Sequence, residues 1–417
     1  MIKAGALYYT IIIMLIVFSL CTFIILSSFY RRQSIESQIH EEQLDLNVNS
    51  GINLLLVNNY IVKPDALVPY EIFANEKPLL LIHKQWGAYE INGARTSWKR
   101  RNVEKIGMAG YFIPFDSIVA LYMQDLNNYL SITGETRLKG NCYIPKLGIR
   151  ASYVEGKSYT AKELVFGKIF TSKNSLPEIN SEILKFCKKY LTRAFSEEDS
   201  VVTLPATDYF SVNNSFFNKT LIYVSDNSLN FDHCNFTGNI ILISSDSMVI
   251  QKQNLFKDVI IIAPKVRISG NFRGSFQIIA SDTVIVEKGS CLEYPSSVLI
   301  FPQTFKTDIT GFLSVDEHVN IFGCVALINS AGNNNKGKVL LNKGSLITGQ
   351  VYCNSNIEML DSVVGSLYTS RFIIETSRAY YENHLMDAVI SGVDISKYFI
   401  FPELIPHTKK EIIKWVN

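Results

Sequence analysis

Ionisable side chains are plentiful in this chain of 417 residues, yet along the sequence they do not gather. Asp246, Asp258, Asp282 and Asp308 follow one another at 12, 24 and 26 residues. Each falls near an expected corner, where aspartate forms turns. Cleaving a glycosidic bond takes two carboxylates about 5 to 9.5 Å apart, and a calcium-dependent lyase takes clustered acids beside a base. No Asp-Asp, Gly-His-Gly or Asn-Thr-Asp occurs. Lys265, Arg267 and Arg273 form a basic group that fits a solvated outer face. His40, His83, His233, His318, His384 and His407 lack a partner at ligand spacing, and no Ser/His/Asp arrangement, phosphate loop or dinucleotide fingerprint is present. The expectation is a non-enzymatic chain with no catalytic residue, metal or cofactor. Carboxylates brought together from distant segments would escape such a linear reading.

The remaining chemistry is equally sparse. Cys142, Cys187, Cys234, Cys291, Cys324 and Cys353 make no CxxC pair and sit in apolar or small-residue stretches, as buried thiols do. Trp86, Trp98 and Lys99-Arg100-Arg101 could suggest a nucleic-acid platform, but three charges without a further stripe read as a solvated turn. A net charge of +2 adds no field to gather nucleic acid, so none is expected as a partner. Asn213, Asn218 and Asn235 begin Asn-x-Ser/Thr triplets, which chance explains in so Asn-rich a chain. With 19% charged and 47% hydrophobic residues the chain folds.

The elements that position these groups begin with a membrane anchor. Ala4 to Tyr30 runs for 27 residues without a charge, about 40 Å of helix against about 30 Å of hydrocarbon. Arg31 and Arg32 end the run. The lipid bilayer is therefore an expected partner. Residues 1–32 are read as the anchor and 33–62 as a helical stalk ended by Pro64 and Pro69. Residues 63–127 read as a mixed α/β segment.

Beyond residue 127 the pattern changes. Leu138/Gly140/Tyr143, Val154/Gly156/Tyr159 and Val165/Gly167/Phe170 share an apolar-x-Gly-x-x-aromatic form, repeated at Ile347/Gly349/Tyr352 and Val363/Gly365/Tyr368. Glycine at a fixed place in a short strand unit suits a corner needing positive φ or close approach. Gly140, Gly156, Gly167, Gly349 and Gly365 are thus the expected corner glycines. Between the two series stand five blocks, starting at Thr220, Asn239, Val259, Phe276 and Ser297, at steps of 19, 20, 17 and 21 residues. Alternating strands follow them, as at Met248/Ile250, Val266/Ile268 and Val284/Ile286. Paired strands at a period near 20 predict a mainly β chain carrying a β-solenoid, like a parallel β-helix. A β-sandwich also spaces strands regularly, but Asn-Gly and Asp-Gly hairpin signals are missing from this repeat. The divisions are 128–176 for Gly-punctuated coils, 177–196 for an inserted helix, 205–375 for the solenoid and 376–417 for a C-terminal cap.

The short apolar-x-Gly units over about 130–170 and 310–375 resemble the coils of bactofilins, polymer-forming bacterial cytoskeletal proteins. That resemblance implies self-association through solenoid ends; this chain departs by its length, its inserted helix and its long cap. The N-terminus is similar to minor pilins and pseudopilins. Lys3-Ala4-Gly5 before Ala6-Leu7 looks like a very short prepilin leader, implying processing between Gly5 and Ala6. Thr10 stands where most major pilins carry glutamate. This second resemblance implies a single-pass membrane protein whose bulk lies on the extracytoplasmic side. The expected function is a structural or assembly component of a bacterial cell envelope, partnered by further copies or other pilus-like proteins. A polysaccharide-acting β-helix enzyme and a surface adhesin are the alternatives.

Overall fold

A computed structural model describes residues 4–58, 61–72, 78–99, 101–197, 199–204, 210–302, 310–329 and 336–416. Anchor and stalk are one helix: α1 runs unbroken over Ala4–Val57. It is long and apolar enough to cross a membrane, and nothing packs on its hydrophobic window. From Leu44 onward the same helix turns an apolar face inward, with Val48, Ile52 and Leu55 buried. These are one turn apart, so they share a face. At Gly51 a Cβ would stand 2.9 Å from Leu81 and 3.2 Å from Ala94, so only the bare backbone lets the helix lie this close.

The surface it lies on is an antiparallel sheet of β1 (Val68–Tyr70), β2 (Leu79–Trp86), β3 (Tyr89–Trp98) and β4 (Arg101–Phe112). The C-terminal strands Ile400–Phe401 and Lys410–Val416 both pair with β4. Two sequence expectations are corrected here. Residues 63–127 hold no α-helix among the described residues, only a 3-10 turn at Phe115–Ser117. Strands covered on both faces lose the polar alternation that would have marked them. Residues 376–417 are not a separate cap either, since they complete this sheet and a neighbouring layer of strands.

The rest of the molecule is almost wholly parallel. Strands form a closed arrangement of three stacks, each residue pairing with its counterpart one level away. In the first stack Leu221 pairs with Ile240, Ile241 with Ile260, Ile260 with Gln277 and Gln277 with Ser297. The steps are 19, 19, 17 and 20 residues, so two of the four expected steps overshoot by one. Register shifts also occur between Lys257 and Ile260 and between Gly274 and Gln277, where bulges absorb residues that a run of apolar letters does not reveal. Single strands such as Leu255–Ile268 bend through all three stacks.

The stacking order is not the chain order. Levels climb from Asp199–Thr203 through Thr220–Ser225 to the 367–369 strand. There Leu367 pairs in parallel with Leu121, and Tyr122 in turn pairs with Tyr143. Ile169–Thr171 lies beyond, on Cys142–Ile144. The third stack crosses the same join, as Val363 pairs with Ile390 and Ile390 with Leu138. Residues 119–171 therefore continue the coil that residue 391 leaves off. The chain returns to the opposite end along the outside, through α2 (Ser181–Leu191), which Asn180 caps by accepting from the Glu182 amide.

The first stack is buried on both sides. Inward, Leu242, Ile261, Ile278, Val298, Val325 and Leu367 join the central core. Outward, Ile241, Ile260, Ile262, Ile279 and Leu299 meet α2 and the antiparallel sheet. Polar bolts fix that contact. Trp86 Nε1 donates to the Asp258 carbonyl at 2.8 Å, and the Gln277 amide brackets the β2–β3 turn by accepting from the Ala88 amide and donating to the Trp86 carbonyl. The second stack instead alternates, as in Ser247–Ile250 and Lys338–Leu341, with every other residue facing water.

Candidate functional site

The expected corner glycines are built into one edge of the first stack, with one exception. Gly323, Gly349 and Gly365 pair level on level at φ 137°, 136° and 133°. A Cβ on Gly349 or Gly365 would stand 2.0 Å from the carbonyl oxygen of the glycine below. Gly167 meets Gly140 in the same manner, its Cβ position 2.2 Å from the Gly140 oxygen. Gly156 lies elsewhere, in the turn of a hairpin pairing Tyr153–Val154 with Lys157–Ser158. Its 16-residue spacing from Gly140 reflects a local turn and not a coil corner. Gly323 is the corner residue that the sequence reading missed; its following aromatic is replaced by Ala326. Gly5 occupies the first turn of α1, with nothing within 4 Å of a Cβ there. Ala6 belongs to that turn, its side chain outside the described residues.

The aromatics three residues after the glycines form a continuous ladder through Tyr122, which follows Val119 at the same spacing. Tyr352, Tyr368, Tyr122, Tyr143 and Phe170 follow one another at ring separations of 6.5, 6.1, 5.4 and 4.9 Å. Hydroxyls of Tyr122 and Tyr352 donate to the carbonyls of Ser175 and Pro177, tying down the returning chain. The two widely separated motif series in the sequence are thus neighbours in one ladder.

This ladder leads to the open ends of the stacks. At one end, Ile169–Thr171 pairs on one side only among the described residues, and Ile169 and Phe170 are 53% and 39% exposed. At the other, Asp199–Thr203 pairs among the described residues only with Thr220–Ser225, with Val201 and Val202 49% and 40% exposed. Both ends therefore offer unpaired backbone donors and acceptors beside apolar side chains. Lys146, Lys168 and Lys173 are exposed around the first end and Glu197 at the second.

The side chains that could do chemistry are otherwise consumed by structure. Lys265, Arg267 and Arg273 lie 3.9, 3.4 and 3.6 Å from Asp282, Glu287 and Glu293 of the following level. Asp246 accepts from Ser228, and Asp258 takes the Lys414 ammonium. Asp308 lies outside the described residues. Burial pushes the Cys142, Cys187 and Cys353 thiols up to about 12, so they stay protonated at neutral pH. No group of three or more His, Cys, Asp or Glu suited to a metal ion occurs among the described residues.

One acid pair is assembled from far apart. Glu90 of β3 and Glu403 converge on the Lys410 ammonium, at 2.5 and 3.2 Å. Glu403 is wholly buried, and burial, then the Glu90 carboxylate beside it, hold its carboxyl well above the usual range. The group borders a cleft of about 610 Å³ also lined by His83, Tyr111 and His407. Burial pushes Tyr111 up to about 12 and lowers His407, which is neutral at pH 7. Since Glu403 has no exposed surface, it cannot meet a substrate, and the trio acts as a clasp between β3, the 402–405 segment and the last strand. No local spacing announces residues 90, 403 and 410 as partners.

Compared with known proteins, this chain matches no family model, no curated protein and no solved structure.

Proposed function

We propose that this chain is a membrane-anchored structural subunit of a bacterial envelope, its three stacks forming a β-solenoid that joins further copies end to end. The observation that carries this reading is the pair of unpaired parallel strand edges, Ile169–Thr171 at one end and Asp199–Thr203 at the other. The first-stack strands between them pair in parallel, so a copy translated along the axis presents the right strand direction to each end. Such a head-to-tail contact is open and generates a filament.

The anchor fits the same role. A helix that is apolar at its start and packed on an antiparallel sheet at its finish ties a rigid domain to the bilayer, as in pilin-like subunits. Processing after Gly5 and an extracytoplasmic bulk belong to this proposal. The scaffold reading is preferred over a polysaccharide-cleaving one because the outer acids are matched to bases of the next level and the acid pair is sealed.

Full-length protein in detergent, examined by negative stain and sedimentation, tests the proposal. Filaments or linear oligomers that shorten on Phe170→Asp or Val201→Asp are expected. Monomers alone across salt and concentration would remove it. A C-terminal phosphatase fusion tests sidedness, with activity expected.

A further inference from the structure

The tip joining β3 to β4 rests against α1. Trp98 there is half-buried, its ring 4.1 Å from the His40 ring of α1. The Lys99 ammonium lies 4.0 Å from the Trp98 ring centroid. Lys99 and Arg101 are exposed, and Arg100 lies outside the described residues. The tip is fixed to the helix: Arg101 pairs with Glu41, and Lys105 pairs with Asp45 at 2.7 Å and with Asn49 at 3.0 Å.

Because α1 is unbroken, it sets how far this tip stands from the membrane. From Tyr30, where the apolar run ends, to His40 is ten residues, about 15 Å of helix. The headgroup layer takes up roughly 5 to 7 Å of that on each side of the hydrocarbon. What remains is about one Debye length at physiological salt. An extended lysine covers most of it. Of the nearby helix acids, Glu36 pairs with Arg32 at 3.1 Å and Glu41 takes up the Arg101 charge, so the basic group the tip offers is Lys99. Tryptophan beside lysine and arginine is the chemistry that settles at a bilayer surface.

We propose that the β3–β4 tip is a second membrane contact, in which Trp98 and Lys99 engage anionic lipid headgroups and hold the domain at a fixed angle to the bilayer. The inference rests on α1 as a membrane span. With only the helix, the domain would swing about a single point. With the tip seated, the stacks take one orientation, and neighbouring copies present their ends at the same height.

The test uses full-length protein in nanodiscs of neutral lipid, or of neutral lipid with phosphatidylglycerol, each carrying a headgroup-attached nitroxide. Trp98 emission is obtained as the difference between the wild type and Trp98→Phe. We expect at least twofold stronger quenching in the anionic discs, lowered to the neutral-disc level by Lys99→Glu and by high salt. Equal quenching in both discs, or none, overturns the proposal. Cys21, exposed on the span, separates the two readings: protection from a membrane-impermeant maleimide leaves the anchor standing whatever Trp98 does, while ready labelling removes the anchor itself.

Discussion

The first and second stacks are made by the same coils, yet the chain writes them in different alphabets. First-stack strands are continuous apolar runs, such as Ile240–Ser244, buried throughout. Second-stack strands alternate, as in Ser247–Ile250. The difference lies in what stands outside. The antiparallel sheet and α2 cover the first stack, so its outward residues must also be apolar, whereas every other residue of the second at Ser247–Ile250 and Lys338–Leu341 keeps part of its surface open. An unbroken apolar block in a coiled β chain therefore marks a face that carries another layer.

The sharpest way to break this comparison is to place the same polar residue outward on each stack. Ile241→Gln puts an amide without a partner between the first stack and its cover, and should cost on the order of 4 kcal/mol. Val249→Gln, outward on the second stack, should cost about 0.5 kcal/mol or less. Urea unfolding of full-length protein in detergent measures both, and similar losses would end the distinction.

A second contrast lies between two glycines that share a sequence pattern. Gly349→Ala drives a methyl into the Gly323 carbonyl at positive φ, with an expected loss of about 2 to 3 kcal/mol. Gly156→Ala meets nothing nearer than the Tyr153 hydroxyl at 3.9 Å, so only its φ of 82° opposes it, at about 1 kcal/mol. Thermal unfolding of the two variants side by side checks the order.

The smallest effect concerns the clasp that holds the covering sheet. Glu403 has a folded pKa above its unfolded one, so its contribution is complete below about pH 4.5 and is lost as pH rises towards the folded value. Stability should fall across that window, by at most ~1.4 kcal/mol per pH unit for one proton. Glu403→Gln keeps the shape without the titration and should flatten the slope. A variant with the wild-type slope would show that other groups govern it.

Much of this was legible in the residues. The period near 20 marked the first-stack strands, since all five blocks fall on strands of one stack, Thr220–Ser225, Ile240–Ser244, Leu255–Ile268, Arg273–Val286 and Cys291–Ile300. The long apolar helix was legible because 27 uncharged residues have few other uses. The antiparallel sheet was not, because β2 and β3 are covered on both faces and alternate poorly. Nor was the join of residues 119–171 to 362–391, because strand pairing over such a distance leaves no local trace. Its one signal was the recurrence of the Gly-aromatic unit, which read as two distant regions and is one ladder. The Glu90–Glu403–Lys410 clasp had no signal at all, since each member sits among unremarkable neighbours.

The join between the two parts of the chain also governs the order in which the protein can be made. A chain emerging from its N-terminus delivers Leu121 long before Leu367, its partner in the stack. During that interval Val119–Met123 has a bare edge on the side that strand 362–375 will occupy. Contacts this remote in sequence slow folding and lengthen exposure to aggregation. The last strand, Lys410–Val416, must then find β4, which was synthesised some 300 residues earlier. Biogenesis therefore closes this molecule from its two termini at once. A holding factor that shields the 119–171 coils until the C-terminus arrives would raise its yield more than one acting on the finished fold.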